Sequence, residues 1–243
     1  MASANIPESI VGTPLFVPSA NNFFSIETAG LPNGEDCLKV LGGTNRDYKA
    51  YVAAQTLSPA IFTDRLSGWS VSFWFKGGNI TPAGSGYRAD EMLFGVMTAA
   101  WNADWTTAAN ATGVVWTVTH WSASGGSSCG IGLMKPKQQI NPAGNATAQV
   151  GAAITPNVWH LITIYSGADG TPTMAIDNAA AANGSNGASG QIGIAGSQFF
   201  SIGAYSDQPN MNGRQGDWYL GKLAFHDHAL NLTERQLLYN SMT

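Results

Sequence analysis

The length, composition and charge of this chain exclude several classes of protein. It has 243 residues, of which 44% are hydrophobic and only 11% are charged, and its formal net charge is −4 at pH 7. It contains no basic run dense enough to follow a phosphate backbone and no apolar run of the roughly 18 residues that a bilayer requires, so we expect neither nucleic acid nor a membrane as a partner. A surface built from Asn, Ser, Thr, Gln and Gly is typical of extracellular, virion and carbohydrate-facing proteins.

The first residues differ in character from the rest of the chain. They contain Pro7, Pro14 and Pro18 and show no sustained hydrophobic period. This pattern predicts an extended N-terminal arm at residues 1–20, followed by one domain at residues 21–243. Arms of this kind often pack on neighbouring subunits, so we expect sister subunits or other virion proteins as partners. The segment also lacks the basic and apolar regions of a secretory signal peptide.

Ten short runs with a strand-like composition follow the arm, separated by clusters of Gly, Pro, Asn or Asp. In chain order they are FFSIET, CLKVLG, WSVSFWFKG, EMLFGVM, TGVVWTVTHW, GIGLMK, VWHLITIYS, TMAID, QFFSIGAY and YLGKLAFH. Both alternating faces of VWHLITIYS are largely apolar, which predicts a central strand in a two-layer structure.

The C-terminal segment LTERQLLYNSM has a helical pattern instead. Thr233 and Gln236 match a capping box, and Leu237 and Leu238 supply apolar residues for burial. We therefore predict an all-β fold, an antiparallel two-sheet β-sandwich, with a short C-terminal helix.

The order of these motifs resembles the concanavalin-A-like, laminin-G-like and pentraxin-like jelly-roll family. The matching segments are Ser72 to Lys76, Trp159 to Tyr165, Ile176-Asp177-Asn178, Ile202-Gly203 and Leu220 to Tyr239. The resemblance implies a jelly-roll sandwich, a fold that hosts lectins, adhesion modules, structural domains and glycosidases. Where the closing strand of the family usually carries an acidic pair, this chain has Gly221-Lys222, so the calcium site of some members is less securely implied than the fold.

Motifs for catalysis are weak. The glycosidases of this superfamily resemble one another in an E-x-D-x-x-E or E-x-D-x-E strand, and this spacing does not occur here. The segment GSSCG at residues 126–130 matches G-x-S-x-G, but it lies between a Gly/Ser loop and a strand, whereas a nucleophile elbow joins a strand to a helix. We therefore expect a protein that is not an enzyme.

A tryptophan-rich segment is the candidate carbohydrate site. In AAWNADWTTAANAT, Trp101 and Trp105 flank Asn102 and Asp104, and the stretch shows no strand alternation. Aromatic rings for the apolar face of a sugar, with amide and carboxylate groups for its hydroxyls, fit carbohydrate binding. Packing of both rings against an end of the sandwich is an equally weighted alternative. Further along, Trp116 and Trp121 are predicted on opposite faces of one strand.

The metal-binding candidates are weaker. The loop SDQPNMNGRQGDW contains the oxygen-bearing residues Asp207, Asn210, Asn212 and Asp217, which predict at most a weak calcium site; the alternative, in which Asn and Gly only form turns, is favoured. We expect no cofactor beyond such an ion.

Two further sets of residues, histidines and cysteines, are of types that can bind metal ions, but a role without metal is favoured for both. His226 and His228 fit half of a zinc site, but surface histidines at a strand end are favoured. The cysteines, Cys37 and Cys129, match no metal spacing and are expected as buried free thiols.

These observations favour a non-enzymatic structural, decoration or adhesion protein of a phage or other virion. It would be made in the host cytoplasm without a signal peptide, and its sandwich loops would decorate the particle or contact host glycan. The alternative is a carbohydrate-binding lectin module of a secreted, extracellular protein. A glycan-active hydrolase is third.

Overall fold

The computed structural model describes residues 5–6, 15–16, 24–40, 51–56, 68–78, 89–97, 114–122, 128–135, 147–166, 172–177, 179, 182–183, 199–202 and 217–242. The strands are β1 (Asn5–Ile6), β2 (Leu15–Phe16), β3 (Phe24–Glu27), β4 (Cys37–Val40), β5 (Tyr51–Thr56), β6 (Ser70–Gly77), β7 (Ala89–Met97), β8 (Val114–Ser122), β9 (Cys129–Lys135), β10 (Thr147–Ile154), β11 (His160–Ser166), β12 (Pro172–Ile176), β13 (Ala182–Asn183), β14 (Phe199–Ile202) and β15 (Trp218–His226). The helix α1 spans Leu232–Asn240.

The strands form two large antiparallel sheets. Within the described residues, one has six strands in the order β10-β9-β8-β7-β14-β5, and the other has seven in the order β13-β12-β11-β6-β15-β4-β3. The predicted all-β sandwich with a short C-terminal helix is confirmed, and each of the ten predicted runs contains a strand. The sequence reasoning missed β5, β10 and the short β13, as well as β1 and β2 in the segment predicted as an arm. The Ala and Gly residues of β10 and the Ala-Asn pair of β13 have low β-propensity.

The predicted N-terminal arm is described at two places. Asn5–Ile6 and Leu15–Phe16 pair with each other as a short antiparallel ladder, and β2 contacts β5. The other residues of the segment 1–20 lie outside the described ranges. The division of the chain at residue 20 therefore stays a prediction.

The main core lies between the two sheets. Inward-facing side chains of β6 meet those of β7, and the rings of Phe73 and Phe94 pack edge to face with centroids 5.0 Å apart. Both residues are fully buried. β11 pairs with β6 on one side and β12 on the other, and most of its residues are buried on both faces. Its predicted central position is confirmed.

A smaller apolar cluster lies on the outer face of the seven-stranded sheet, where α1 covers part of it. Trp74 of β6 stacks on Tyr239 of the helix with ring centroids 5.7 Å apart. Leu161 and Met242 are buried in the same cluster, and Leu238 packs against it. The helix α1 therefore covers part of the outer face of the seven-stranded sheet.

The start of α1 differs from the sequence prediction. Asn231, rather than Thr233, is the N-cap: its side chain accepts a hydrogen bond from the Glu234 amide, and its own amide donates to the Glu234 carboxylate. The predicted Thr233–Gln236 capping box is therefore wrong. Leu237 was expected to be buried but is 65% exposed, because the helix turns it away from the sheet.

The two cysteines are buried and unpaired, as predicted. Cys37 lies in the outer cluster and Cys129 in the core between the sheets. Burial raises the pKa of both thiols. Within the described residues, no helix is both long and apolar enough to cross a membrane.

Candidate functional site

A row of aromatic and lysine side chains crosses the outer face of the seven-stranded sheet. Strand register places it there: Lys76 pairs with Tyr219, Tyr219 pairs with Lys39, and the pairing of His160 with Phe75 puts Trp159 beside Lys76. Paired residues of adjacent strands project from the same face, so the four side chains form one line. We call Trp159, Lys76, Tyr219 and Lys39 the outer row.

The lysines of the outer row contact its rings. The Lys76 ammonium lies 4.2 Å from the centroid of Tyr219 and 5.2 Å from that of Trp159. The Lys39 ammonium lies 5.4 Å from the Tyr219 centroid. The two rings are 6.1 Å apart at 60°. All four side chains are partly exposed, so the row is open to a ligand while the helix-covered cluster beside it is not.

The two lysines differ in their acidic neighbours. The Lys39 ammonium lies 3.4 Å from Asp217 and 3.9 Å from Glu27. Its pKa is raised, first by a hydrogen bond with Tyr219 and then also by these carboxylates. Among the described residues, no carboxylate forms an ion pair with Lys76. The row therefore has acidic groups at its β4 end. Next to its other end, beside Trp159, the Lys76 ammonium has no ion-pair partner in the described part of the chain.

The turn before Trp159 is anchored to the neighbouring strand. Asn157 adopts φ 60°, and its amide donates a 2.8 Å hydrogen bond to the carbonyl of Gly77 at the end of β6. This bond ties the turn that carries Trp159 to the strand that carries Lys76. The relative position of the two side chains is thereby restricted.

A buried histidine anchors the other side of Trp159. His160 Nδ1 lies 2.8 Å from the Asp177 carboxylate, whose second oxygen accepts a 2.8 Å hydrogen bond from the Leu161 amide. The Nε2 atom of the ring contacts both the amide and the carbonyl of Thr155 at 3.2 Å. The hydrogen bond with Asp177 raises the pKa of His160. Residues on both sides of Trp159 are thus fixed before any ligand binds.

The sequence-predicted carbohydrate residues Trp101, Asn102, Asp104 and Trp105 lie outside the described residues. Their role in binding stays a prediction. The strand that follows them is present as β8, and Val118 on it faces the main core while Trp121 faces outward. A Cβ atom on Gly130 would collide with the Trp121 ring, so this indole lies directly against the sheet.

Of the predicted calcium ligands, Asp207, Asn210 and Asn212 also lie outside the described residues. Asp217 is described, and Lys39 occupies one side of its carboxylate. In the described part of the chain, no group of three His, Cys, Asp or Glu side chains is arranged to hold a metal ion. The weak calcium site stays a prediction.

The His226 and His228 rings lie 6.2 Å apart at the end of β15. His226 Nε2 is 2.9 Å from the Ser72 hydroxyl, and burial lowers the pKa of the ring. His228 is exposed between Asp227 and Glu234, which raise its pKa through hydrogen bonds. These contacts connect β6, β15 and the helix start, and they give His226 a structural role.

The outer row was not found by sequence reasoning, although its residues stand in the motifs that were singled out. Lys76 lies at an outward position of β6, and Trp159 immediately precedes β11, far away in the chain. Alternation within one strand indicates which side chains point outward. It does not say which strands are neighbours or in what register, and the row exists only through that pairing.

The sequence matches no protein-family model and no curated protein sequence. Similar solved structures include botulinum neurotoxin type C, studied for its interaction with two ganglioside molecules, at 12% identity, TM-score 0.55 and coverage of 99% of this chain and 51% of that one. The binding domain of botulinum neurotoxin DC in complex with SialylT has 11% identity, TM-score 0.53 and coverage of 96% and 49%. The binding domain of Paraclostridial Mosquitocidal Protein 1 has 14% identity, TM-score 0.51 and coverage of 98% and 51%.

This chain spans about half the length of these neighbours. At such identities the likeness establishes the β-sandwich fold, in agreement with the two sheets described above.

Proposed function

We propose that this chain is a carbohydrate-binding β-sandwich module without enzymatic activity. The observation that carries the proposal is the partly exposed pair of Trp159 and Tyr219 in the outer row. Aromatic rings offer a large, rigid apolar surface for the C–H face of a sugar, and neighbouring polar groups set its orientation.

The outer row also provides hydrogen-bonding groups for sugar hydroxyls. The Lys39 ammonium lies within 4 Å of the Asp217 carboxylate and of the Glu27 carboxylate, and these partly exposed groups stand next to Tyr219. Carboxylates accept hydrogen bonds from sugar hydroxyls and ammonium groups donate hydrogen bonds to them, so the outer row can form both kinds of contact. The anchoring of the Trp159 turn by Asn157 and His160 lowers the ordering cost of binding.

The structural neighbours support a binding role by analogy of fold. Two of them are binding domains, one of which is in complex with SialylT, and cell entry of the type C neurotoxin depends on interaction with two ganglioside molecules. Fold alone does not transfer function, so the proposal depends on the outer row and the comparison adds to it. The concanavalin-A-like and laminin-G-like resemblance of the sequence belongs to the same proposal.

We propose a virion surface as the setting, with the chain as a decoration or adhesion protein and residues 1–20 docking on sister subunits. The weakly charged composition supports this setting. The alternative, a lectin module of a secreted protein, shares the binding function.

Deletion of residues 1–20 is expected to abolish concentration-dependent oligomers measured by light scattering. An unchanged oligomeric state after the deletion would contradict the docking role of the arm.

A glycan array with three proteins tests the binding proposal. Wild type is expected to bind a defined set of glycans, and Trp159→Ala is expected to weaken that binding about tenfold, since loss of ring contact is worth roughly 1.4 kcal/mol. The Trp101→Ala/Trp105→Ala variant tests the tryptophan-rich segment separately. If only the double variant lost binding, the glycan would bind at the tryptophan-rich segment and not at the outer row. Turnover of any polysaccharide by wild type would contradict the proposed absence of enzymatic activity.

A further inference from the structure

Lys76 occupies the ring faces on which a sugar would stack. Its ammonium lies 4.2 Å from the centroid of Tyr219 and 5.2 Å from that of Trp159, on the strand between them. Such contacts are attractive because the ring faces carry negative charge density. A neutral sugar that stacks on these rings must displace the ammonium, and it offers no charge to replace the lost attraction.

The charges of the outer row are separated along its length. Glu27 and Asp217 both contact Lys39 at the β4 end. Lys76 lies on β6, next to Trp159 at the opposite end of the row, and has no ion pair with any described carboxylate. An anionic group is therefore accommodated at the Trp159 end of the row, away from the two carboxylates.

We propose that the outer row selects glycans that carry a carboxylate or sulfate group, with Lys76 as the specificity-determining residue. This inference rests on the proposed carbohydrate-binding function. An anionic group draws the ammonium off the rings and forms a charge-assisted hydrogen bond with it. The ring faces are then free for the apolar side of the same sugar. The flexible four-carbon stem of lysine permits this movement.

The test compares matched glycan pairs that differ in one charge. The pairs are a glycan ending in sialic acid with its desialylated form, and a sulfated glycan with its unsulfated form, so the two sources of anionic charge are separated. Affinities are measured by calorimetry for wild type, for Lys76→Met and for the control Lys222→Met. Lys222 is an exposed lysine of β15 that contacts Glu35 outside the outer row.

Wild type is expected to prefer the anionic member of at least one pair by about tenfold, the strength of a charge-assisted hydrogen bond. Lys76→Met is expected to remove the preference and to bind the neutral member about threefold more tightly than wild type, because the rings are no longer occupied by a cation. Lys222→Met is expected to keep the wild-type preference. High salt is expected to weaken the preference of wild type for the anionic glycan, because it screens the attraction to Lys76. It is not expected to weaken the affinity of Lys76→Met for the glycans.

Equal binding of charged and neutral members by wild type would overturn this inference and leave the carbohydrate-binding function standing. A preference that persists in Lys76→Met would overturn it as well. Absence of binding to every glycan would instead contradict the proposed function itself. Thermal unfolding checks that the variants fold, and Lys76→Gln replaces Lys76→Met if the latter does not.

Discussion

His160 shows how a single buried residue supports an exposed binding surface. Its ring accepts a hydrogen bond from the Thr155 amide when neutral and donates one to the Thr155 carbonyl when protonated, since Nε2 lies 3.2 Å from both. The contact with the turn is thus retained in both charge states. The attraction to Asp177 is what changes with pH, and it raises the pKa of His160.

The sign of the resulting pH dependence follows from that shift. A histidine whose pKa is higher in the folded state stabilises the fold fully below its unfolded pKa of about 6.5, and this contribution is lost as pH rises through the folded value. We therefore expect His160→Gln to lower the free energy of unfolding by about 2 kcal/mol in mildly acidic solution, and by less in alkaline solution. Urea denaturation at both pH values measures the difference.

A double-mutant cycle with Asp177→Asn provides the control for this prediction. The two substitutions are in direct contact and are expected to be non-additive at acidic pH. Equal losses at acidic and alkaline pH in His160→Gln would show that the ion pair contributes nothing beyond packing.

At the scale of single elements, the start of α1 shows why a helix was predictable and its first residue was not. The segment offers two overlapping capping patterns, Asn231 with Glu234 and Thr233 with Gln236. Leu230 decides between them: it is buried, and its amide donates a 2.8 Å hydrogen bond to the Ser70 hydroxyl. This tertiary contact fixes the chain immediately before Asn231, and sequence reasoning had no access to it.

The capping residue gives a prediction with an internal control. Asn231→Ala is expected to lower the free energy of unfolding by about 1 kcal/mol, because the Glu234 amide loses its hydrogen-bond acceptor. Thr233→Ala removes an exposed side chain that does not cap and is expected to leave stability unchanged or slightly higher. Chemical denaturation of both variants measures these effects. A larger loss in Thr233→Ala would restore the capping box inferred from the sequence.

At the scale of the whole molecule, alternation and turn residues were sufficient to predict the all-β sandwich. They identify a strand such as β6, in which Val71, Phe73 and Phe75 point inward and Trp74 points outward. They fail for β5 and β10, whose alanines carry little pattern. They also do not give strand neighbours, so the outer row, assembled from β4, β6, β15 and the residue before β11, could not be predicted.

Because the two sheets pack against each other through the main core, we expect them to unfold together. Phe94→Ala is expected to lower the free energy of unfolding by about 3 to 5 kcal/mol, because a fully buried ring that contacts Phe73 across the layers leaves a cavity. Unfolding should remain a single transition for both sheets, measured by circular dichroism and tryptophan fluorescence. Leu237→Ala, at an exposed position of α1, is the control and should change little. Separate transitions for the two probes would mean that the layers do not unfold together.

The central claim is that carbohydrate binds at the outer row. The most direct test is an NMR titration with a glycan identified on the array, in which the indole N–H signals of the tryptophans are followed. The Trp159 signal, assigned by its loss in Trp159→Phe, is expected to shift with saturation, since this ring is partly exposed in the row. The signal of Trp218, buried in the main core, is expected to stay in place. A Trp159 signal that does not move while the glycan binds would contradict the account.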